Sequence, residues 1–298
     1  MLLRRIDADR VIAFSQPCHA WLAGELARAW GGGGFTVPQP RDAVLCGTAL
    51  HDIGWLEWET APVFDETTGL PLQFFGVPAE QHTQLWRRGI EHARIYGLLP
   101  ALLVSRHGDA IYERTFDPAT ARPEAAAAVR AFREEQAAFQ RAAIARLAAD
   151  PATADAVTDR SLGFSKDFIA AVDTMSLHLC WGIKEPVTIH DVPDAPRGSL
   201  ALAQRADGMI AVDPWPFVGD SLDLMIEGRR LDGASADQDA LDAALGEAPP
   251  ARVSLTLRPG LAQAAHPVIV SRSETTHGPS VDSDALPNGS WLASLRSR

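Results

Sequence analysis

The spacing of apolar and polar positions predicts a run of helices over the first 180 residues and short strands after them. Between Ser15 and Trp30 the apolar residues recur every three to four positions. Ser15 is placed to cap a helix there, Pro17 falls in its first turn, and Gly31–Gly34 end it. A second helix is predicted from Asp42 through "AVLCGTALHD". The Pro/Gly-punctuated segment from Glu59 to Gln81 then reads as a functional loop, a candidate lid. Helical periodicity resumes in "EQHTQLWRRGIEHARIYGLL" and in "PALLVSRH", with a break at Pro100. The Ala/Glu/Arg-rich stretch from Arg122 to Asp150 opens on Pro123 and predicts a long structural helix. Ser165 to Cys180 predicts another, with Phe168, Val172, Met175 and Leu179 on one face.

Beyond Gly182 the pattern shortens and alternates: "PVTIHDV", "SLALAQ", "MIAVD", "SLDLMIEGRRL" and "ARVSLTLRP" are strand signatures, with one short helix at "DQDALDAAL". From Ser271 the chain is rich in Ser, Asp, Pro and Gly, without periodicity, and reads as a flexible tail. The expected fold is therefore mainly α. A helical metal-binding domain would span residues 1–185, a small β-rich extension packing on it residues 186–270, and a tail residues 271–298.

Composition narrows the partners. With 46% hydrophobic residues the 298-residue chain can bury a full core, and a formal net charge of -11 disfavours nucleic acid and anionic membranes. A small-molecule substrate is the expected partner. Cys18, Cys46 and Cys180 form no CxxC pair. No apolar stretch has signal-peptide or membrane length, so a cytoplasmic location is expected.

The candidate chemistry starts from "TALHDIGWLEWE", where His51 and Asp52 end the apolar stripe Val44, Leu45, Leu50. A second His-Asp pair, His190-Asp191, lies among prolines and β-branched residues and serves as an internal control. His19 is assigned to one face with Ile12, Leu22, Leu26 and Trp30, and Asp173 flanks Ile169, Ser176 and Cys180, so both are expected to point inward. A buried divalent cation would satisfy His19, His51, Asp52 and Asp173 together. His82, on a face with Trp86 and Ile90, and His107, ending the stripe Leu99, Leu103, are expected to hold a second ion, with Asp52 bridging the two. Arg87, Arg88 and Arg106 are candidate phosphate-binding groups, and Trp55, Trp58, Phe74 and Phe75 candidate walls of a substrate pocket. His92 is read as structural or substrate-facing, His178 as packing near Asp173, and His266 and His277 are given no role.

The ordered series His19, His51-Asp52, His82, His107, Asp173 resembles the HD-domain superfamily of metal-dependent phosphohydrolases, and "SQPCHAWLAGELARAWG" with "HDIGWLEWE" is similar to an uncharacterised bacterial branch of it. The resemblance covers about residues 1–185. It implies an all-helical bundle carrying one or two divalent ions, iron or manganese before zinc or magnesium. It further implies a hydroxide on the metal that attacks a phosphate ester of a small molecule or nucleotide. Many members carry Ile-Gly-Lys after the HD pair where this chain has "HDIGW" with Trp55. Without that lysine, a di-iron oxygenase of the same fold stands as an alternative, and a non-catalytic metal-stabilised binding module, in which the β-rich extension recognises a partner, is a third.

Overall fold

The computed structural model describes residues 1–260. The residues expected to form the tail lie outside them, as do His266 and His277. The chain opens with a hairpin, β1 (Leu2–Arg5) and β2 (Arg10–Phe14), before the first helix α1 (Gln16–Ala29). Ser15 caps that helix as its sequence predicts, its Oγ accepting from the Cys18 amide at 3.1 Å. Next come α2 (Arg41–Ala49) and a two-stranded ribbon of β3 (Phe64–Asp65) and β4 (Leu70–Pro71) inside the expected loop. Four longer helices follow: α3 (Ala79–Tyr96), α4 (Leu98–Thr115), α5 (Pro123–Ala148) and α6 (Asp159–Trp181). The break between α3 and α4 falls at Gly97, whose φ of 151° suits glycine. Pro100 sits in the first turn of α4, where its missing amide costs nothing.

The rest of the described chain is β5 (Val187–His190), β6 (Ser199–Gln204), β7 (Ile210–Asp213), β8 (Leu222–Asp232), α7 (Gln238–Glu247) and β9 (Pro250–Pro259). These strands join the N-terminal hairpin in one seven-stranded sheet of order β1-β2-β8-β9-β7-β6-β5, antiparallel except where β7 pairs with β9. The fold is therefore α/β with a large mixed sheet, and the expectation of a mainly α, HD-like helical bundle is wrong.

The physical reason is the segment "RVIAF". Both faces of β2 are covered: Ile12 and Phe14 enter the main core with Leu22, Leu26 and Phe168, while Val11 and Ala13 pack with Leu231, Leu241 and Leu245 under α7. A strand buried on both faces shows no alternation. Ile12 thus mimicked a residue of the helix that starts four positions later. The sheet draws strands from both sides of residue 185, and β2 pairs with β8 from Arg10↔Asp232 to Ala13↔Arg229. No helix among the described residues is long and apolar enough to cross a membrane.

Candidate metal centre and pocket

Four elements deliver the site. His19 comes from the first turns of α1, Asp173 from the middle of α6 and His107 from the middle of α4. His51 and Asp52 do not lie on a helix. The α2 helix ends at Ala49, and the pair occupies the turn before a short 3-10 segment, Ile53–Trp55. Leaving the helix allows both side chains to aim at one point, which two neighbours 100° apart on a helix do poorly. The control pair behaves oppositely: His190 and Asp191 are exposed at the sheet edge.

His19, His51, Asp52, His107 and Asp173 form one buried cluster, none more than 8% exposed. His19 Nε2 lies 2.9 Å from Asp52 Oδ2, and His51 Nε2 lies 3.3 Å from Asp173 Oδ1 and 3.7 Å from Asp52 Oδ2. His107 Nε2 is 3.4 Å from Asp173 Oδ2. One ligand atom each from His19, His51 and Asp173 falls within 4.8 Å of the others, near enough for a small inward shift to bring all three onto a single ion.

Hydrogen bonds fix which nitrogens face this centre. The carbonyl oxygen of Thr48 accepts from His51 Nδ1 at 2.7 Å, and a carbonyl takes only a donor, so Nδ1 carries a proton and Nε2 is left for the centre. The Ser176 hydroxyl donates to the Asp173 carbonyl at 2.7 Å and accepts from His19 Nδ1 at 2.8 Å, which turns the Nε2 lone pair of His19 toward Asp52. The Nε2 atoms of His51 and His107 are buried without a hydrogen-bond partner. Imidazole nitrogens aimed at carboxylates, with two left unpaired in the interior, are what a bound divalent cation satisfies. The donor set fits the ion.

The electrostatics agree. Burial pushes the His51 imidazolium toward losing its proton, yet Asp52 and Asp173 outweigh this and raise its pKa from 6.5 to about 9. Burial also opposes ionisation of Asp52 and Asp173, but His51 with His19 holds the first, and His51 with His107 the second, below the ordinary carboxylate range. Positive charge is therefore demanded here, whether a proton or a metal supplies it.

His82 stands apart. Its Nδ1 meets the Tyr112 hydroxyl at 2.6 Å, its ring packs against Trp55 and Tyr112, each at a 5.5 Å centroid distance, and burial lowers its pKa to about 4. It lines the same cavity as the cluster without joining it.

The cavity is narrow, with about 30 Å³ of free space. Trp55, Phe74 and Phe75 wall it as expected, while Trp58 packs against the core beside it. Sequence reasoning gave no pocket role to Gln16, Ile111 and Leu177 and placed Trp86 only on the face it shares with His82; all four line the cavity. Gln16 carries no signal except its position after the Ser15 cap. Among the described residues no Arg or Lys lines the cavity. Arg87 bonds Glu135 at 2.7 Å and lies over Phe132, and Arg88 reaches Glu57 at 3.4 Å. Arg106 keeps a buried, unpaired Nε outside the lining. His92 and His178 also lie outside it, the latter packed on Trp181.

The fold and the cluster define an α/β protein with a buried His/Asp centre at the floor of an aromatic pocket. The chain belongs to the family described as protein of unknown function, DUF3891, whose model matches residues 1–233 and so takes in every member of the cluster. No curated protein and no solved structure matches the chain.

Proposed function

We propose that the protein is a metal-dependent hydrolase of a small molecule, with a divalent ion, iron or manganese, held by His19, His51, Asp52 and Asp173. The observation that carries this reading is the convergence of imidazole Nε2 atoms on two buried carboxylates, with the His51 Nδ1 proton committed to a backbone carbonyl. The ordered resemblance to HD-domain phosphohydrolases supports the same ligand set. A bound ion there supplies Lewis acidity and a site for activated water.

The chain's own residues do the rest. Thr48 and Ser176 orient the two imidazoles, and His107, 3.4 Å from Asp173 Oδ2, steadies that carboxylate. Trp55, Phe74, Phe75 and Trp86 exclude water and position the substrate body. His82 presents an uncharged imidazole to the cavity, held by Tyr112.

One observation favours a second reading, an iron-dependent oxygenase: the walls are aromatic and the three candidate phosphate-binding arginines lie outside the cavity. Elemental analysis of protein purified with and without oxygen tests both. The hydrolase reading expects about one equivalent of metal, lost in Asp52→Ala and His51→Ala, and anaerobic turnover with manganese. His82→Ala is expected to keep the metal because its imidazole is outside the cluster. Unchanged stoichiometry in Asp52→Ala refutes the metal centre. Turnover that requires oxygen and fails with manganese replaces the hydrolase by the oxygenase.

A further inference from the structure

We infer that the pocket takes a small uncharged molecule with an apolar body and one hydrogen-bonding group, received by the side-chain amide of Gln16, and that it rejects phosphate esters. The inference rests on the metal-centre reading above and adds the substrate class.

Charge decides the first part. The carboxylates lining the cavity are Asp52 and Asp173, and no Arg or Lys is among the described lining residues. Two carboxylates cancel one divalent ion, so a loaded centre has no net positive charge to offer. A phosphate monoester brings a charge of about -1.5 to -2 at neutral pH. Entering this pocket would bury that charge beside two carboxylates, with no guanidinium or ammonium to replace its water.

Shape and chemistry decide the second. Trp55, Phe74, Phe75, Trp86, Ile111 and Leu177 give this narrow cavity apolar walls. Against these walls Gln16 is out of place. It is 2% exposed, and its Oε1 is buried with no hydrogen-bond partner. Its backbone is pinned: the Gln16 amide donates to Glu59 Oε2 at 2.5 Å, and Glu59 Oε1 pairs with the Met1 ammonium at 2.6 Å. A buried amide oxygen left unpaired costs stability unless a ligand completes it. A hydroxyl, amide or amine on the substrate would do so. A neutral amide also serves such a group without the desolvation cost of a charge.

The test pairs each of benzyl alcohol, cyclohexanol and 1-naphthol with its phosphate monoester. Binding to manganese-loaded full-length protein is read by broadening of the ligand proton resonances and by tryptophan fluorescence. We expect at least one alcohol to bind, at least tenfold more tightly than its phosphate ester, and Gln16→Leu to weaken it about tenfold while the metal content stays at the wild-type level. Phosphate esters binding as well as the alcohols overturn the inference, as does failure of all three alcohols to bind. Unchanged alcohol affinity in Gln16→Leu removes Gln16 from the recognition. Should that variant not fold, the wild-type pairs decide alone. Failure of the underlying reading looks different: the protein takes up no manganese.

Discussion

His19 Nδ1 and Ser176 Oγ lie 2.8 Å apart in the buried interior, and Ser176 passes its own proton to the carbonyl oxygen of Asp173 at 2.7 Å. One hydroxyl thereby links two proposed ligands, setting the tautomer of the imidazole and tying it to the helix that carries the carboxylate. Partners of this kind are worth about 10- to 100-fold in metal affinity. Ser176→Ala is therefore expected to bind metal 10- to 100-fold more weakly than wild type in a chelator competition, with the fold retained at a cost of about 1–3 kcal/mol because His19 Nδ1 is left unpaired in the interior. Unaltered affinity would show that the His19 tautomer is set elsewhere.

Protons and metal compete for the same centre, and this gives metal-free protein a characteristic pH dependence. The pKa of His51 is raised in the folded state from 6.5 to about 9 by Asp52 and Asp173, against the opposing effect of burial. A raised imidazole contributes stability that is fully present below about pH 6.5 and is lost as pH rises through about 9. Chelator-treated protein should accordingly be less stable to urea at pH 9.5 than at pH 6.5, by on the order of 3 kcal/mol. Metal-loaded protein should keep its stability across that window, because the cation replaces the proton. Identical pH profiles with and without metal would contradict this linkage.

The candidate site was legible in the sequence where a polar residue interrupted an apolar stripe. His19, His51, Asp52, His107 and Asp173 are each flanked by core residues, and burial without a partner is costly enough to mark them. Gln16 left no such mark, because a neutral amide beside a helix cap is ordinary. The arginines misled because charge along a helix says nothing about which side chain is already paired, and Arg87 is engaged by Glu135. The helix α1 was readable from its Ser15 cap, α5 from Pro123 and its composition, and α6 from periodicity alone, since it begins at Asp159 with Thr158 as its cap and not at Ser165, where the sequence pattern starts it. The sheet was half readable: β5 to β9 alternate or are bounded by turns, whereas β2 is apolar on both faces and its partner β8 begins more than 200 residues later. Strand pairing over that distance leaves no local pattern.

That pairing makes a prediction about dissection. A fragment of residues 1–185 retains every member of the cluster but removes β8, leaving the edge of β2 unpaired and Ile12 and Phe14 without Ile226, a member of the same core. Exposed apolar strand edges aggregate. The fragment should be insoluble or run as large aggregates in size-exclusion chromatography. A monomeric, metal-binding fragment would mean that the helical layer folds without the sheet.

Gly54 offers a test of how the His51-Asp52 turn is held, without touching a ligand. The 3-10 segment Ile53–Trp55 backs directly onto α3: a Cβ added to Gly54 would lie 2.0 Å from the carbonyl oxygen of Leu85 and 2.7 Å from the amide nitrogen of Gly89. Both obstacles are helix backbone and neither can move aside, so Gly54→Ala must lift the turn away from α3. Overpacking of this kind costs about 1–3 kcal/mol and more where backbone is involved. Because Asp52 lies two residues before Gly54, the displacement should also move its carboxylate and weaken metal binding by about tenfold or more. Gly163→Ala supplies the control, since an added Cβ there meets nothing within 4 Å in helix α6, and it should stabilise the protein by about 0.5–1 kcal/mol. Wild-type stability in Gly54→Ala would refute the close approach to α3. Lowered stability with unchanged metal affinity would show that Asp52 is positioned by its bond to His19 and not by the turn.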